Sequence, residues 1–234
     1  AQESDFVVGS LMTDIDVSDD LTLSFHFDSS NEVAGPDSGA LVDDNGKMIG
    51  GDDLIWDMPW TKIDAQSQNY GADISYQLSE DWKLEAGYNN QHNERERWES
   101  KPQTQDDFDP ETGIYENKPY DKLEDWRQQA FYFDFVGSVE FAGMSHDLLL
   151  GGNYLKHEYT SLKVKGDKQE ENLNESTIIP HQVLDYTDAK AKDESYKYYG
   201  VFTQDLITVS DQWQVLLGVR FDKQEKADAD NSSV

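Results

Sequence analysis

The chain has 234 residues, a formal net charge of -29 at pH 7, a pI near 4.2 and no cysteine. Its 19 Lys and Arg lie scattered among 48 Asp and Glu, which excludes a nucleic-acid partner because phosphate binding needs a concentrated basic surface; the missing thiols exclude disulfide frameworks and cysteine nucleophiles. At 36% apolar and 12% aromatic residues the chain is too hydrophobic to be disordered throughout, and no apolar run approaches the roughly 18 residues of a membrane-spanning helix.

In chain order, the first strand is predicted where Val7, Gly9, Leu11, Thr13, Ile15 and Val17 alternate with Val8, Ser10, Met12 and Asp14. A polar turn, VSDDLTL, opens the second, in which Leu21, Leu23, Phe25 and Phe27 are apolar and the intervening residues polar. The same unit returns as LSEDWKL, MSHDLLL and VSDQWQV, with its serines at Ser18, Ser79, Ser145 and Ser210, spaced by 61, 66 and 65 residues. Each serine turn is preceded by one period-two strand and followed by another, so each repeat reads as a β-hairpin. The strand before Ser210 has the most broken pattern, with Thr203 and Asp205 on its apolar face.

Between hairpins the pattern leaves links of about 25 to 40 residues, longer than ordinary connections. One contains DPETG at Asp109 to Gly113, which suits a tight reverse turn and lacks the glycine of a calcium loop. Short turns on one side, long acidic links on the other and long two-faced strands predict an antiparallel transmembrane β-barrel, with lipid outside and a wet or plugged lumen inside. Trp82 and Trp213 begin their strands beside short turns, where an indole suits the membrane interface. About eight strands are expected, in four hairpins. With short turns on the periplasmic side, both ends of the segment lie outside, which fits an arc of a wider barrel rather than a closed one. A soluble all-β binding domain, with these tryptophans in its core, is the alternative on pattern alone.

Three stretches, FAGMSHDLLLGGNY (Phe141 to Tyr154), YYGVFTQDLITVSDQWQVLLGVRFD (Tyr198 to Asp222) and YGADISYQLSEDWKLEAGYN (Tyr70 to Asn89), resemble barrel hairpins of TonB-dependent siderophore receptors, most of all the ferrichrome and ferrioxamine type. His146 takes the family's histidine place, and Phe202 and Phe221 stand where tyrosine is usual. The resemblance implies a barrel of about 22 strands, in the outer membrane of a Gram-negative bacterium, closed by a plug domain that has no counterpart here; residues 1–234 would be one partial barrel domain. It implies a ferric siderophore as cargo, with iron held by the chelator rather than by a protein cofactor. Further partners would be outer-membrane lipid and, through the plug, the TonB-ExbB-ExbD complex. A TonB-dependent receptor for a vitamin or oligosaccharide is the alternative within the family.

Aromatic and polar side chains suit a bulky chelate with apolar flanks and exposed oxygens. The expected outer-loop candidates are Trp56 and Trp60 in LIWDMPW, His92, Arg95, Arg97 and Trp98 in QHNERERW, and Tyr115 and Tyr120 beyond them. Arg220 and Asp222 share the inward face and are expected to form a charge pair in the lumen wall. His146 is expected in a short turn as a structural residue. His26, His157 and His181 show no metal-binding spacing with carboxylates, so no metal site is expected, and no nucleophile elbow, Walker loop or HExxH points to an enzyme. The acid excess admits two explanations: selection for neutral or cationic cargo, or adaptation of the whole surface to salt.

Overall fold

A computed structural model describes residues 3–36, 39, 41–42, 46–49, 56–102, 108–109, 111–175, 180–182 and 184–229. Eight long strands form one antiparallel sheet: β1 (Ser4–Ser18), β2 (Leu21–Ala34), β3 (Lys62–Gln77), β4 (Trp82–Pro102), β5 (Ile114–Phe141), β6 (Met144–Lys165), β8 (Lys190–Ser210) and β9 (Trp213–Ala229). A short ninth strand, β7 (Gln169–Asn172), pairs with β5. Along the sheet the order is β1-β2-β3-β4-β5-β6-β8-β9, so chain neighbours are sheet neighbours apart from the β7 branch. Among the described residues β1 pairs only with β2 and β9 only with β8, which leaves an arc with two free edges. No described helix is long and apolar enough to cross a membrane; any crossing is made by strands.

The hairpin plan follows the sequence, while β7 has no apolar alternation to announce it. It exists because β5, with 28 residues, outruns β6, whose pairing begins at Tyr120; β7 takes the free stretch Ile114 to Asn117. Strand length is the second departure. A crossing needs about 9–11 residues, yet β4 has 21 and β5 has 28. These strands take up most of the expected link between them, since β4 runs on to Pro102 and β5 starts at Ile114.

The short turns lie at one end of the sheet. Ser18 Oγ accepts from the backbone N–H of Asp20 at 3.3 Å, and Ser210 Oγ accepts from that of Gln212 at 3.4 Å, a local bond that competes with strand continuation and closes the turn. Ser145 has no such role: it lies in β6, and the β5–β6 turn is made by Ala142 (φ 52) and Gly143 (φ 79). Two successive positive φ values define the tight hairpin turn whose twist matches the strands. His146 therefore stands in a strand rather than in a turn. Gly143→Val should lower hairpin stability by about 1 kcal/mol, since a β-branched side chain is strained at that φ; the denaturation midpoint of the folded protein in detergent is the readout.

Register assigns every side chain to one of two faces. One carries Trp82, Leu84, Ala86 and Tyr88 of β4, opposite Gly137, Phe135, Phe133 and Phe131 of β5. Across β6, β8 and β9 it continues through Leu148 and Leu150, then Val201, then Val215 to Phe221. This apolar band is largely exposed, with Leu150 at 50%, Trp213 at 71% and Phe221 at 66%, far more apolar surface than a water-soluble protein displays. Trp82 stacks on Phe135 at 4.8 Å and covers Gly137, where a Cβ would meet its ring. Asp205, the apparent flaw in the β8 pattern, lies 2.9 Å from His146 Nδ1 across the strands.

The opposite face is polar and bonded across strands. Tyr132 of β5 reaches over β4 to donate to Asp73 Oδ1 on β3 at 2.8 Å. It can do so because position 87, which it crosses, is glycine; a Cβ there would collide with both partners. His26 lies 3.0 Å from Asn89 and 3.8 Å from Asp73 in the same network.

Candidate functional site

Six of the eight sequence candidates lie in strands: His92, Arg95, Arg97 and Trp98 in β4, and Tyr115 and Tyr120 in β5. Because these strands rise far past the apolar band, the alternation of the wall also governs the candidates and divides them. Even positions of β4 and odd positions of β5 continue the band face. His92, Trp98 and Tyr115 therefore stand on that face, while Arg95, Arg97 and Tyr120 stand on the polar face.

On the band side, the rings of Trp60 and Trp98 approach His181 at centroid distances of 4.6 and 5.0 Å. His181 Nε2 lies 3.6 Å from Asp121 Oδ1. Burial pushes the Asp121 carboxyl up, partly countered by that histidine. Lys62 sits 4.2 Å above the Trp98 ring. Farther along, Trp56 meets the ring of Tyr115 edge-on at 4.9 Å, and the two form a small core with Leu41, at 3%, 6% and 7% exposure. The Tyr115 hydroxyl donates to Glu171 Oε2 at 2.5 Å; burial and then that carboxylate push its pKa up. These contacts pin Leu41, Trp56, Trp60, Glu171 and His181 to the outer ends of β4 and β5. His92 Nε2 lies 3.0 Å from Asp125 Oδ2 and 3.7 Å from Glu94 Oε1. Those three residues can offer ligand atoms within 4.8 Å of one another, on a wall that also carries Asp64, Glu96 and Asp193 around a groove of about 590 Å³.

The polar face is built around Glu124, whose side chain is 3% exposed. It accepts from Arg95 Nε, Lys122 Nζ and the Tyr159 hydroxyl, each at 2.7 Å, and Arg97 lies 4.0 Å away while also pairing with Glu99. Burial alone would raise the Glu124 carboxyl, but the three donors outweigh it and hold it down to about 2. Aromatic rings fill the spaces between cations: Arg95 lies 5.2 Å from the Trp126 ring, Lys163 3.8 Å from Tyr120 and Lys192 5.5 Å from Tyr159. Such a tier can stack on a bulky ligand and donate to its oxygens. Lys122, Glu124, Trp126, Tyr159, Lys163 and Lys192 escape a search for apolar periodicity. Their signal is alternation of charge, as in ERER (94–97), SLKVK (161–165) and KAKDE (190–194).

Nearer the turns, Arg220 Nε donates to both Asp222 oxygens at 2.9 and 2.8 Å, and Arg220 Nη2 to Asn153 Oδ1 at 2.9 Å. Both side chains of that pair are exposed on the polar face.

Residues 11–234 match the family described as TonB dependent receptor-like, beta-barrel. The chain belongs to this family. No curated protein sequence matches it. Among solved structures it is similar to the pyoverdine outer membrane receptor FpvA of Pseudomonas aeruginosa PAO1, with a TM-score of 0.83 at 13% identity over 100% of this chain and 35% of that one. The ferric preacinetobactin receptor BauA of Acinetobacter baumannii gives 0.79 at 14% over 99% and 35%, and the ferric-catecholate import receptor Fiu of E. coli K12 gives 0.78 at 9% over 96% and 37%. The chain thus spans about a third of the length of these receptors, and at such low identity the likeness carries the fold.

Within a TonB-dependent receptor barrel the free edges of β1 and β9 are continued by further wall, and the apolar band is the lipid-facing side. The polar face then lines the lumen. The soluble all-β alternative is set aside, since an exposed band of this size is what a barrel in lipid requires.

Proposed function

We propose that this chain is a wall section of an outer-membrane receptor of a Gram-negative bacterium that takes up a ferric siderophore, driven by the TonB-ExbB-ExbD complex acting through a plug. The observation that carries the reading is the lumen tier around Glu124, in which Arg95, Arg97 and Tyr120 stand among further cations and rings above the apolar band. In this reading the iron is cargo and stays inside its chelator; the wall supplies donors and stacking surfaces. Arg95, Arg97 and Tyr120 face the chelate. Trp56, Trp60, Trp98 and Tyr115 hold the outer connections, and His92 faces outward with them. Arg220 and Asp222 form a charge pair in the lumen wall.

The test is uptake of radiolabelled iron by cells that depend on the intact receptor for one ferric siderophore. Deleting the receptor gene should abolish that uptake, restoring it should recover uptake, and the recovery should vanish in cells without TonB. Unchanged iron uptake, with loss of uptake of a vitamin or an oligosaccharide instead, would overturn the siderophore assignment.

A further inference from the structure

We infer that the chelate admitted along this wall is anionic, a deepening that rests on the siderophore reading above. The opposite expectation follows from a net charge of -29, but that charge is sorted by face. Above the apolar band, Glu94, Glu96, Asp121 and Asp125 point outward while their chain neighbours Arg95, Arg97 and Lys122 point into the lumen. On β6 and β8 the inward positions hold Lys163, Lys165 and Lys192, whereas Asp193 points out. The period of two thus places an excess of acid on the outward face and an excess of base on the cargo path.

The lumen carboxylates of this tier do not cancel its cations. Glu99 pairs with Arg97, Glu124 takes Arg95 and Lys122, and Glu194 pairs with Lys192 at 2.9 Å. Arg97 remains within 4.0 Å of Glu124, and Lys163 meets only a ring in its closest described contact, Tyr120 at 3.8 Å. Burial first, and then the neighbouring charges of Lys165 and Lys122, push the Lys163 ammonium down. A positive concavity with low-dielectric walls concentrates anions, and its rings add a surface on which a flat chelating group can stack. An oxygen-rich anionic chelate such as a ferric tris-catecholate meets both features; a neutral tris-hydroxamate meets only the second.

Binding is measured on the intact receptor in detergent with two probes, a hexadentate ferric tris-catecholate, which is trianionic, and a hexadentate ferric tris-hydroxamate, which is neutral. The tris-catecholate should bind about ten-fold or more tightly at low salt, with the advantage shrinking as salt rises. The double variant Lys163→Gln, Lys192→Gln should cut that preference by about ten-fold with its β-sheet circular dichroism unchanged. The outward-facing double variant Lys156→Gln, Lys197→Gln should leave it intact. Equal or tighter binding of the tris-hydroxamate, or an unchanged preference in the lumen variant, overturns the inference while the siderophore reading stands. Failure of both chelates to bind, with another nutrient taken up instead, overturns that reading and this inference together.

Discussion

Leu150→Arg should destabilise the folded barrel by about 2–4 kcal/mol, whereas Leu149→Arg, one residue away, should cost less than about 1 kcal/mol. The two leucines are neighbours in β6 with the same strand partners on either side, and they differ in face. Leu150 lies between Phe135 and Thr203 on the apolar band, and Leu149 lies between Val136 and Gln204 on the lumen face. An arginine on the band must carry its charge into hydrocarbon or drag water after it, a penalty that grows toward the middle of the bilayer. In the lumen the same guanidinium finds water and the Gln204 side chain. The measurement is the unfolding free energy in lipid vesicles, wild type against each variant. A hydropathy scale assigns both substitutions the same cost, so the asymmetry isolates the face assignment.

Glu124→Gln should have the largest effect of any substitution in the outer tier, and its effect should depend on pH. The carboxylate is held down to about 2 from an ordinary value of 4.5. A depressed carboxyl contributes stability that is fully present above its unfolded pKa, about 4.5, and is lost as pH falls through the folded value. At neutral pH the charge is worth on the order of 2–3 kcal/mol, and its removal leaves Arg95 and Lys122 without a counter-charge beside Arg97, which keeps Glu99. Wild type and variant should therefore differ clearly in denaturation midpoint at pH 6 and converge as pH falls from about 4.5 toward 2. A difference that stays constant across that range would mean the loss comes from packing.

How far the fold could be read from the sequence depended on what alternates. Where Phe131 to Phe141 or Trp213 to Phe221 alternate in hydrophobicity, the strand, its face and its turn are legible, because the bilayer requires one face to be apolar. Beyond residue 130 of β5 both faces are polar, and apolar periodicity falls silent although the strand continues for another turn-free stretch to Ile114. Charge alternation persists there, which is why QHNERERW reads as loop by hydropathy and as strand by sign. β7 was out of reach, since QEEN has no pattern and is a strand only because β5 overhangs β6.

The candidate site was legible in part for the same reason. Aromatic and basic residues of the outer region were found, but their partition was not, because assigning Trp98 outward and Arg97 inward requires knowing that β4 runs unbroken past them. Glu124 and Tyr159 lie 35 residues apart and meet only through the β5–β6 register. The same holds for His146 with Asp205, 59 apart, and for His92 with Asp125, 33 apart. Pairings made across strands leave no trace in local spacing. Net charge says little about the site for a related reason: it sums two faces that the strand period keeps separate.

The most direct test of the wall's orientation is a nitroxide scan along β5, residues 120–141, in the intact receptor reconstituted in lipid, with collision rates for oxygen and for a water-soluble nickel chelate at each position. Between 131 and 141 the odd positions should favour oxygen and the even ones nickel, and from 130 back to 120 oxygen preference should disappear from both sets as the wall leaves the bilayer. Loss of the period of two, or access of the nickel chelate to both faces along the whole strand, would contradict the assignment of an apolar lipid face and a lumen face carrying the cationic tier.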